Sequence, residues 1–259
     1  MNLNLKGKNA LVCGSTQGIG KAAAIELAML GANVTLLSRD ETKLKITLQE
    51  LQASDTQKHN FLVADFNKPE QLKQVVLSIQ YPIHILINNT GGPPPGPAID
   101  AAPEAFVSAF SNHLLCNHIL VQALVDGMKK EKYGRIINVI STSVKIPIKG
   151  LGVSNTTRGA VASWAKTISH ELAPFGITVN NVLPGTSMTG RLRAVIQANA
   201  DRAGQTYEKA KQIMTNEIPA GRISEPEEVA SLIAFLATPA ADYINGTSIP
   251  VDGGRTGSI

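Results

Sequence analysis

The chain has 259 residues, a hydrophobic share of 43% and a net charge of +4. This length suits one large α/β domain, and no apolar run is long enough to span a membrane. Two cysteines are too few for a disulfide framework, and scattered basic residues with 4% aromatic residues do not favour nucleic-acid binding. Because the N-terminus contains no apolar segment of the secretory type, we expect a cytoplasmic protein.

The first predicted strand and helix are joined by a glycine-rich turn. A short apolar strand covers Asn9–Cys13, and an amphipathic helix begins at Gly18. Gly14, Gly18 and Gly20 have the spacing G-x-x-x-G-x-G, which allows a tight turn and close packing of the helix on the strand. Free N–H groups at the helix N-terminus then form a site for a phosphate or pyrophosphate. Taken alone, however, such a turn is more often structural than functional.

The rest of the chain alternates strands with helices. Strands are predicted over 33–38, 60–64, 83–88, 135–140, 178–182 and 248–251, and helices over 41–53, 69–79, 103–130 and 157–173. Helices between successive strands imply right-handed crossovers and a parallel sheet covered on both faces. The predicted architecture is therefore a single doubly wound α/β domain over residues 1–259, a Rossmann fold with seven parallel strands. Open sheets of this type bind ligands at the carboxyl ends of their strands.

Polar residues follow the second and third predicted strands. Ser38 and Arg39 end the second strand, where an arginine suits the 2′-phosphate of NADP and an acidic residue would suit the ribose hydroxyl of NAD. A salt bridge between Arg39 and Asp40 at the start of the next helix is the alternative. Asp65 ends the third strand, where its carboxylate can accept a hydrogen bond from an adenine amino group or cap the following helix. We expect NADP(H) in preference to NAD(H).

These motifs together resemble the short-chain dehydrogenase/reductases, and the likeness runs from Leu5 to the C-terminus. Residues 14–20 are similar to the family's dinucleotide loop, and Asn88-Asn89-Thr90-Gly91 to its Asn-Asn-Ala-Gly motif. Pro184-Gly185-Thr186 resembles the loop that closes on the nicotinamide carboxamide. Residues 251–254 resemble a C-terminal signature that lies at a tetramer interface in many members. Among subgroups, the 3-oxoacyl-(acyl carrier protein) reductases are the most similar.

The resemblance implies an oxidoreductase that uses NADP(H) on a small-molecule substrate or an acyl carrier thioester. It also implies self-association as a homotetramer or homodimer, and a mobile substrate lid over residues 186–218. The implied cofactor-binding residues are Gly14, Ser15, Gln17, Gly18, Ile19, Gly20, Ser38, Arg39, Asp65, Phe66, Asn89, Gly91, Arg158, Pro184 and Gly185.

The catalytic positions depart from the family pattern. The family uses Asn, Ser and Tyr-x-x-x-Lys, in which a neighbouring cation lowers the pKa of the tyrosine so that it protonates the substrate oxygen. Here Ser141 keeps the serine position, Ser154 replaces the tyrosine, Arg158 replaces the lysine and His113 replaces the asparagine. Arg158 can hold ribose hydroxyls and favour an oxyanion but cannot shuttle protons, and Ser154 is too weak an acid to replace a phenol.

His113 is the predicted proton donor, because histidine titrates near neutral pH. Two alternatives stay open: a slip of one residue would place Asn112 in this position, or His113 packs inside the helix with His118. A spacing of five puts the two histidines on different helix faces, and no H-E-x-x-H motif occurs, so we expect no metal site.

The predicted function is an NADPH-dependent oxidoreductase in which Ser141 and Ser154 orient the acceptor. The alternatives are a cofactor-binding pseudoenzyme or sensor without turnover, and a reductase of quinones or flavins, which need no proton at this position. The proline-rich segment 91–97 is interpreted either as a rigid wall of the substrate pocket or as a stiff connection. The basic residues of the lid, Arg191 among them, favour either an anionic substrate or, more commonly, a solvated helix face.

Overall fold

The computed structural model describes residues 1–52, 54 and 56–258, and it confirms the predicted parallel sheet. Its strands are β1 (Asn9–Cys13), β2 (Asn33–Ser38), β3 (Asn60–Val63), β4 (Ile85–Asn88), β5 (Gly134–Val139), β6 (Ile177–Pro184) and β7 (Ser248–Val251). All neighbours are parallel, in the order β3-β2-β1-β4-β5-β6-β7. Successive strands are added on one side of β1 up to β3 and on its other side from β4 onward, so the strand order reverses between β1 and β4. A ligand crevice is expected at such a switch point.

Helices cover both faces of this sheet, because the central strands β1, β2, β4, β5 and β6 are buried at nearly every position. The described α-helices are α1 (Gly18–Met29), α2 (Glu41–Glu50), α3 (Pro69–Leu77), α4 (Pro103–Phe110), α5 (Cys116–Glu131), α6 (Gly152–Leu172), α7 (Gly190–Ala203), α8 (Tyr207–Asn216) and α9 (Pro226–Ala237). One apolar core lies under α1, α2 and α9, and the other lies under α3, α5 and α6. Within the described residues, no helix combines the length and the apolarity needed to cross a bilayer.

Several element boundaries differ from the prediction. The helix α6 begins at Gly152 and not at residue 157, so Ser154 lies in its first turn and Arg158 one turn further on. The predicted end of the second helix, Ala53, lies outside the described residues, and α2 is described to Glu50. The helix α9 was not predicted, although Pro226 occupies its first turn.

The predicted long helix over 103–130 contains a widened turn. Its residues Ser111–Leu115 form a π-helical segment between α4 and α5. His113 lies in the middle of this segment and is 3% exposed. Such π-helical turns are frequent at functional sites, because the extra residue redirects a side chain without ending the helix.

A chain of buried side-chain hydrogen bonds crosses four strands of the sheet. The Asn88 side chain donates to the Asn138 amide oxygen (2.8 Å), Asn138 donates to Asn181 (2.9 Å), and Asn181 donates to the Ser248 hydroxyl (3.0 Å). Each pair occupies register positions that face each other on adjacent strands. The three amides are at most 3% exposed, so these hydrogen bonds pair their N–H groups where water does not reach, whereas the Asn88 amide oxygen is buried without a partner among the described residues.

Candidate active site

A cleft of about 890 Å³ opens at the carboxyl ends of the central strands. It is lined by the turn after β1, the ends of β2 to β5, the π-helical segment, the start of α6 and the first residues of the lid. Most of the predicted site residues meet there: Gly14, Gln17, Gly18, Ile19, Ser38, Arg39, Asp65, Phe66, Asn89, Gly91, His113, Ser141, Ser154, Arg158, Pro184 and Gly185.

The turn between β1 and α1 has the conformation that its glycines suggested. Gly14 has a φ of +59°, and a Cβ atom there would lie 2.6 Å from the Asn89 carbonyl oxygen. The Asn89 side chain donates to the Gly14 carbonyl (3.2 Å), which holds the turn against the end of β4. Among the residues that the structure describes, no side chain caps the N-terminus of α1 at Gln17, so the first N–H groups of the helix point to the cleft without a side-chain partner. This arrangement suits a pyrophosphate.

Two predicted cofactor residues, Ser15 and Gly20, do not line the cleft. The Ser15 side chain is fully buried, and its hydroxyl lies 3.4 Å from the Leu37 carbonyl oxygen. A Cβ atom on Gly20 would lie 2.3 Å from the Gly14 carbonyl, so this glycine permits α1 to approach the turn. Both residues therefore stabilise the conformation of the loop through contacts with the protein interior and not with the cleft.

The end of β2 presents basic and hydroxyl groups to the cleft. Asp40 caps α2 by accepting from the Lys43 backbone N–H (3.0 Å), and its other oxygen lies 3.1 Å from Lys43 Nζ. The alternative salt bridge between Arg39 and Asp40 is not found among the described residues. Arg39, Ser38 and Lys43 all line the cleft. Lys43 was missed by the sequence analysis, although it lies within the first turn of the predicted helix.

Asp65 does not cap the following helix, whose N-cap residue is Lys68. Its carboxylate instead accepts from the backbone and side-chain N–H groups of Asn67 (3.0 and 2.9 Å) and lines the cleft. Asn112 donates to the Asn67 side-chain oxygen (2.8 Å). Asn112 thus lies on the side of the cleft near β3, where it contacts Asn67, whereas His113 contacts Thr90 after β4.

His113 contacts the motif that follows β4. Its Nδ1 atom lies 2.6 Å from the Thr90 hydroxyl. Burial, and then the positive charges of Arg158 and Arg191, lower the pKa of His113 from 6.5 to about 3. The prediction that His113 titrates near neutral pH is therefore wrong, because its surroundings disfavour the imidazolium. His118 lies elsewhere, edge-on to Trp164 with 6.2 Å between ring centroids.

Arg158 places a buried guanidinium in the cleft. The residue is 7% exposed, and its Nη1 atom donates to the Val139 carbonyl (2.9 Å) at the end of β5. Its Nε atom is buried without a hydrogen-bond partner among the described residues. Burial, followed by the charge of Arg191, lowers its pKa to about 10, so the group is still charged at neutral pH. Ser154 and Ser141 line the cleft beside it.

Arg191, the second residue of α7, joins the lid to the proline-rich segment. Its Nη1 atom donates to the Gly92 carbonyl and its Nη2 atom to the Pro93 carbonyl, each at 2.6 Å. The residue also lines the cleft together with Thr189. Arg191 is exposed, as the interpretation of the lid cations as a solvated helix face requires, but it also contacts the proline-rich segment and borders the cleft. A basic residue in an amphipathic pattern gives no signal that distinguishes these two environments.

Known proteins are similar to this chain over almost its whole length. The family model described as Enoyl-(Acyl carrier protein) reductase matches residues 14–256. A tropinone reductase homolog of Arabidopsis thaliana is 34% identical over 256 residues, with 98% of this chain and 94% of the relative covered. The 3-oxoacyl-[acyl-carrier-protein] reductase of Vibrio cholerae is 31% identical, with 97% and 98% covered.

Among solved structures, the L-sorbose reductase of Gluconobacter frateurii, in complex with NADPH and L-sorbose, superposes with a TM-score of 0.94. It is 27% identical, and the alignment covers 100% of both chains. The fold, the cleft and these relatives lead to one assignment: the chain belongs to the short-chain dehydrogenase/reductase family and is an NAD(P)-dependent oxidoreductase.

Proposed function

We propose that this protein is an NADPH-dependent reductase of small carbonyl compounds in which the charge of Arg158 replaces the phenol of the family. The observation that carries the proposal is the position of Arg158, a buried residue that lines the same cleft as Ser141 and Ser154. When hydride reaches a carbonyl carbon, negative charge develops on the oxygen. Fixed hydrogen-bond donors and positive charge lower the energy of such an oxyanion.

Several features of the cleft support NADPH as the cofactor in this proposal. The uncapped N-terminus of α1 suits the pyrophosphate, and Gly14 and Gly18, with φ angles of +59° and +54°, form the turn that leads to it. Arg39 and Lys43 would hold the 2′-phosphate. Asp65 has one carboxylate oxygen bonded to Asn67, and the other would accept from the adenine amino group. The reduced nicotinamide supplies the hydride when bound.

The side chains at the catalytic end then have separate roles. Arg158 has N–H groups that can contact both a ribose hydroxyl and the developing oxyanion. Ser141 and Ser154 orient the substrate carbonyl as hydrogen-bond donors. His113 is neutral at physiological pH, and it holds the Thr90 hydroxyl in place. The proton that completes the reduction comes from water in the cleft, since neither Arg158 nor His113 is a usable acid at neutral pH.

A second candidate follows from the same lack of an acid. General acid catalysis contributes about 10²–10⁴-fold to a rate, so reduction of simple ketones would be slow here. Quinones and flavins accept hydride without a proton at this position, so the absence of a general acid would slow their reduction less than that of ketones. The low pKa of His113 favours this candidate over any mechanism that uses an imidazolium.

The test measures loss of NADPH absorbance against a panel of β-keto thioesters, ketones, quinones and flavin, alongside NADPH binding by fluorescence. Turnover of a ketone or thioester supports the carbonyl reductase. Turnover of quinone or flavin alone supports the second candidate. NADPH binding without any turnover contradicts both and indicates a sensor.

A further inference from the structure

Arg191 is positioned over the substrate end of the cleft by contacts that fix it without neutralising it. Its two Nη atoms donate to the carbonyl oxygens of Gly92 and Pro93. Each Nη atom carries a second N–H, and carbonyl dipoles leave the net charge unchanged. Prolines stiffen the segment that supplies these carbonyls, so the guanidinium is held by a rigid partner. The proline-rich segment therefore does more than form a wall of the pocket or a stiff connection, because it also holds the Arg191 guanidinium.

The positive charges at this end are not balanced by acids. The described residues that line the cleft include two acids, Asp40 and Asp65, which follow β2 and β3. Asp40 is paired with Lys43. Arg158 and Arg191 lie on the other side of the switch point, beside the ends of β5 and β4, with no acid among the described lining residues there.

The two guanidinium groups also affect each other. Arg191 lowers the pKa of Arg158, and both charges lower the pKa of His113, after the larger effect of burial. Both groups line the same cleft, where a single anion can contact them. Such an anion would relieve their mutual repulsion and would pair with the free N–H groups. A carboxylate matches the planar fork of an arginine in both charge and geometry.

We infer that the substrate of this protein carries a carboxylate and that Arg191 binds it, while Arg158 faces the carbonyl that is reduced. This inference rests on the proposed reductase function and narrows its substrates to oxo acids. Arg191 is then the residue that determines specificity. Its distance from the reacting carbonyl is set by the segment that follows β4.

The experiment compares the binding of oxo acids with that of their neutral amides. Pyruvate, acetoacetate and levulinate, each beside its carboxamide, are titrated calorimetrically into protein saturated with NADP⁺, which cannot supply the hydride, so that the heat reports binding alone. At least one acid should bind about ten times more tightly than its amide, and added salt should reduce the difference. Arg191→Gln should abolish the preference, and Arg191→Lys should retain part of it. Arg193→Gln, on the same helix and outside the cleft lining, should leave it unchanged.

Equal binding of acids and amides, or an acid preference that survives Arg191→Gln, would overturn the inference. A loss of NADPH affinity in Arg191→Gln would also overturn it, because Arg191 would then serve the cofactor. The proposed function fails separately: acid binding that depends on Arg191 but produces no NADPH consumption would refute the reductase and leave the carboxylate site in place.

Discussion

The Thr90 hydroxyl and the Nδ1 atom of His113 lie 2.6 Å apart and so join the motif after β4 to the π-helical segment. From the resemblance of the sequence to the family, we expect Thr90 to replace an alanine and His113 to replace an asparagine. An alanine methyl group could not form this hydrogen bond. The two changes therefore form one local unit, which orients a neutral imidazole beside Arg158.

The low pKa of His113 predicts a pH-dependent contribution to stability. Between pH 6.5 and about 3, the unfolded chain binds a proton at this residue and the folded chain does not. Stability therefore falls as pH falls, by roughly 1.4 kcal/mol per pH unit from this one group. Urea unfolding at pH 7 and pH 5 measures this effect. The free energy of unfolding should fall between these two pH values by about 2 kcal/mol less in His113→Asn than in the wild type. Parallel losses in both proteins would contradict the assignment.

The close approach of α1 to the glycine turn predicts a severe effect of one methyl group. Gly20→Ala should destabilise the protein by about 1–3 kcal/mol and weaken NADPH binding, since the new Cβ would clash with the Gly14 carbonyl. Gly159→Ala is the matched control, because Gly159 lies in α6 and a Cβ atom there would meet no other atom within 4 Å. That change should stabilise by about 0.5–1 kcal/mol. Thermal unfolding and NADPH fluorescence measure both effects.

The basic residues after β2 predict cofactor selectivity. Arg39→Ala and Lys43→Ala should each weaken NADPH binding roughly tenfold and leave NADH binding unchanged, because only NADPH carries the 2′-phosphate. Lys45→Ala tests the general effect of charge, since Lys45 is paired with Glu41 at 2.7 Å and does not line the cleft. Fluorescence titrations with both cofactors provide the measurement. An equal loss for NADH would assign these residues to another part of the cofactor.

Restoring the family residues predicts a gain in ketone reduction. The double change Ser154→Tyr and Arg158→Lys supplies a phenol with a neighbouring ammonium, and the rate should rise by up to about 10²–10⁴-fold. Arg158→Lys alone adds no acid and should give no such gain. Steady-state NADPH consumption with one ketone compares the variants. An unchanged rate in the double variant would mean that the pocket itself, and not the absent acid, limits the reaction.

The sequence was most informative where local chemistry determines the structure. The glycine spacing after β1 predicted the turn because positive φ angles and missing Cβ atoms depend on few neighbours. The start of α6 was missed because Gly152, Ser154 and Thr156 have low helix propensity, which tertiary packing overrode. The sequence does carry signals for α9, a proline at its first position and a glutamate at 228; in the structure the Glu228 carboxylate accepts from the Glu225 N–H at 2.9 Å.

The environment of the site residues could not be obtained in the same way. The pKa of His113 depends on burial and on Arg191, which is distant in sequence and enters the cleft from the lid. The π-helical turn around His113 adds one residue to a helix and leaves no mark in the apolar pattern. Whether Arg191 faced solvent or the cleft depended on the path of the proline-rich segment. Each of these properties depends on contacts between elements that are distant in sequence, and the pattern of residue types along the chain does not predict such contacts.

The amide chain from Asn88 to Ser248 has a consequence for how the sheet assembles. Strands rich in valine, isoleucine and leucine can pair in neighbouring registers with little change in buried apolar area. A shift of one residue would turn a side chain to the opposite face, and a shift of two would leave buried amides unpaired. Misaligned sheets are thereby penalised at β4, β5, β6 and β7 together. The polar residues inside this apolar sheet thus help to fix the strand register, and the register determines where the strand ends that line the cleft lie relative to one another.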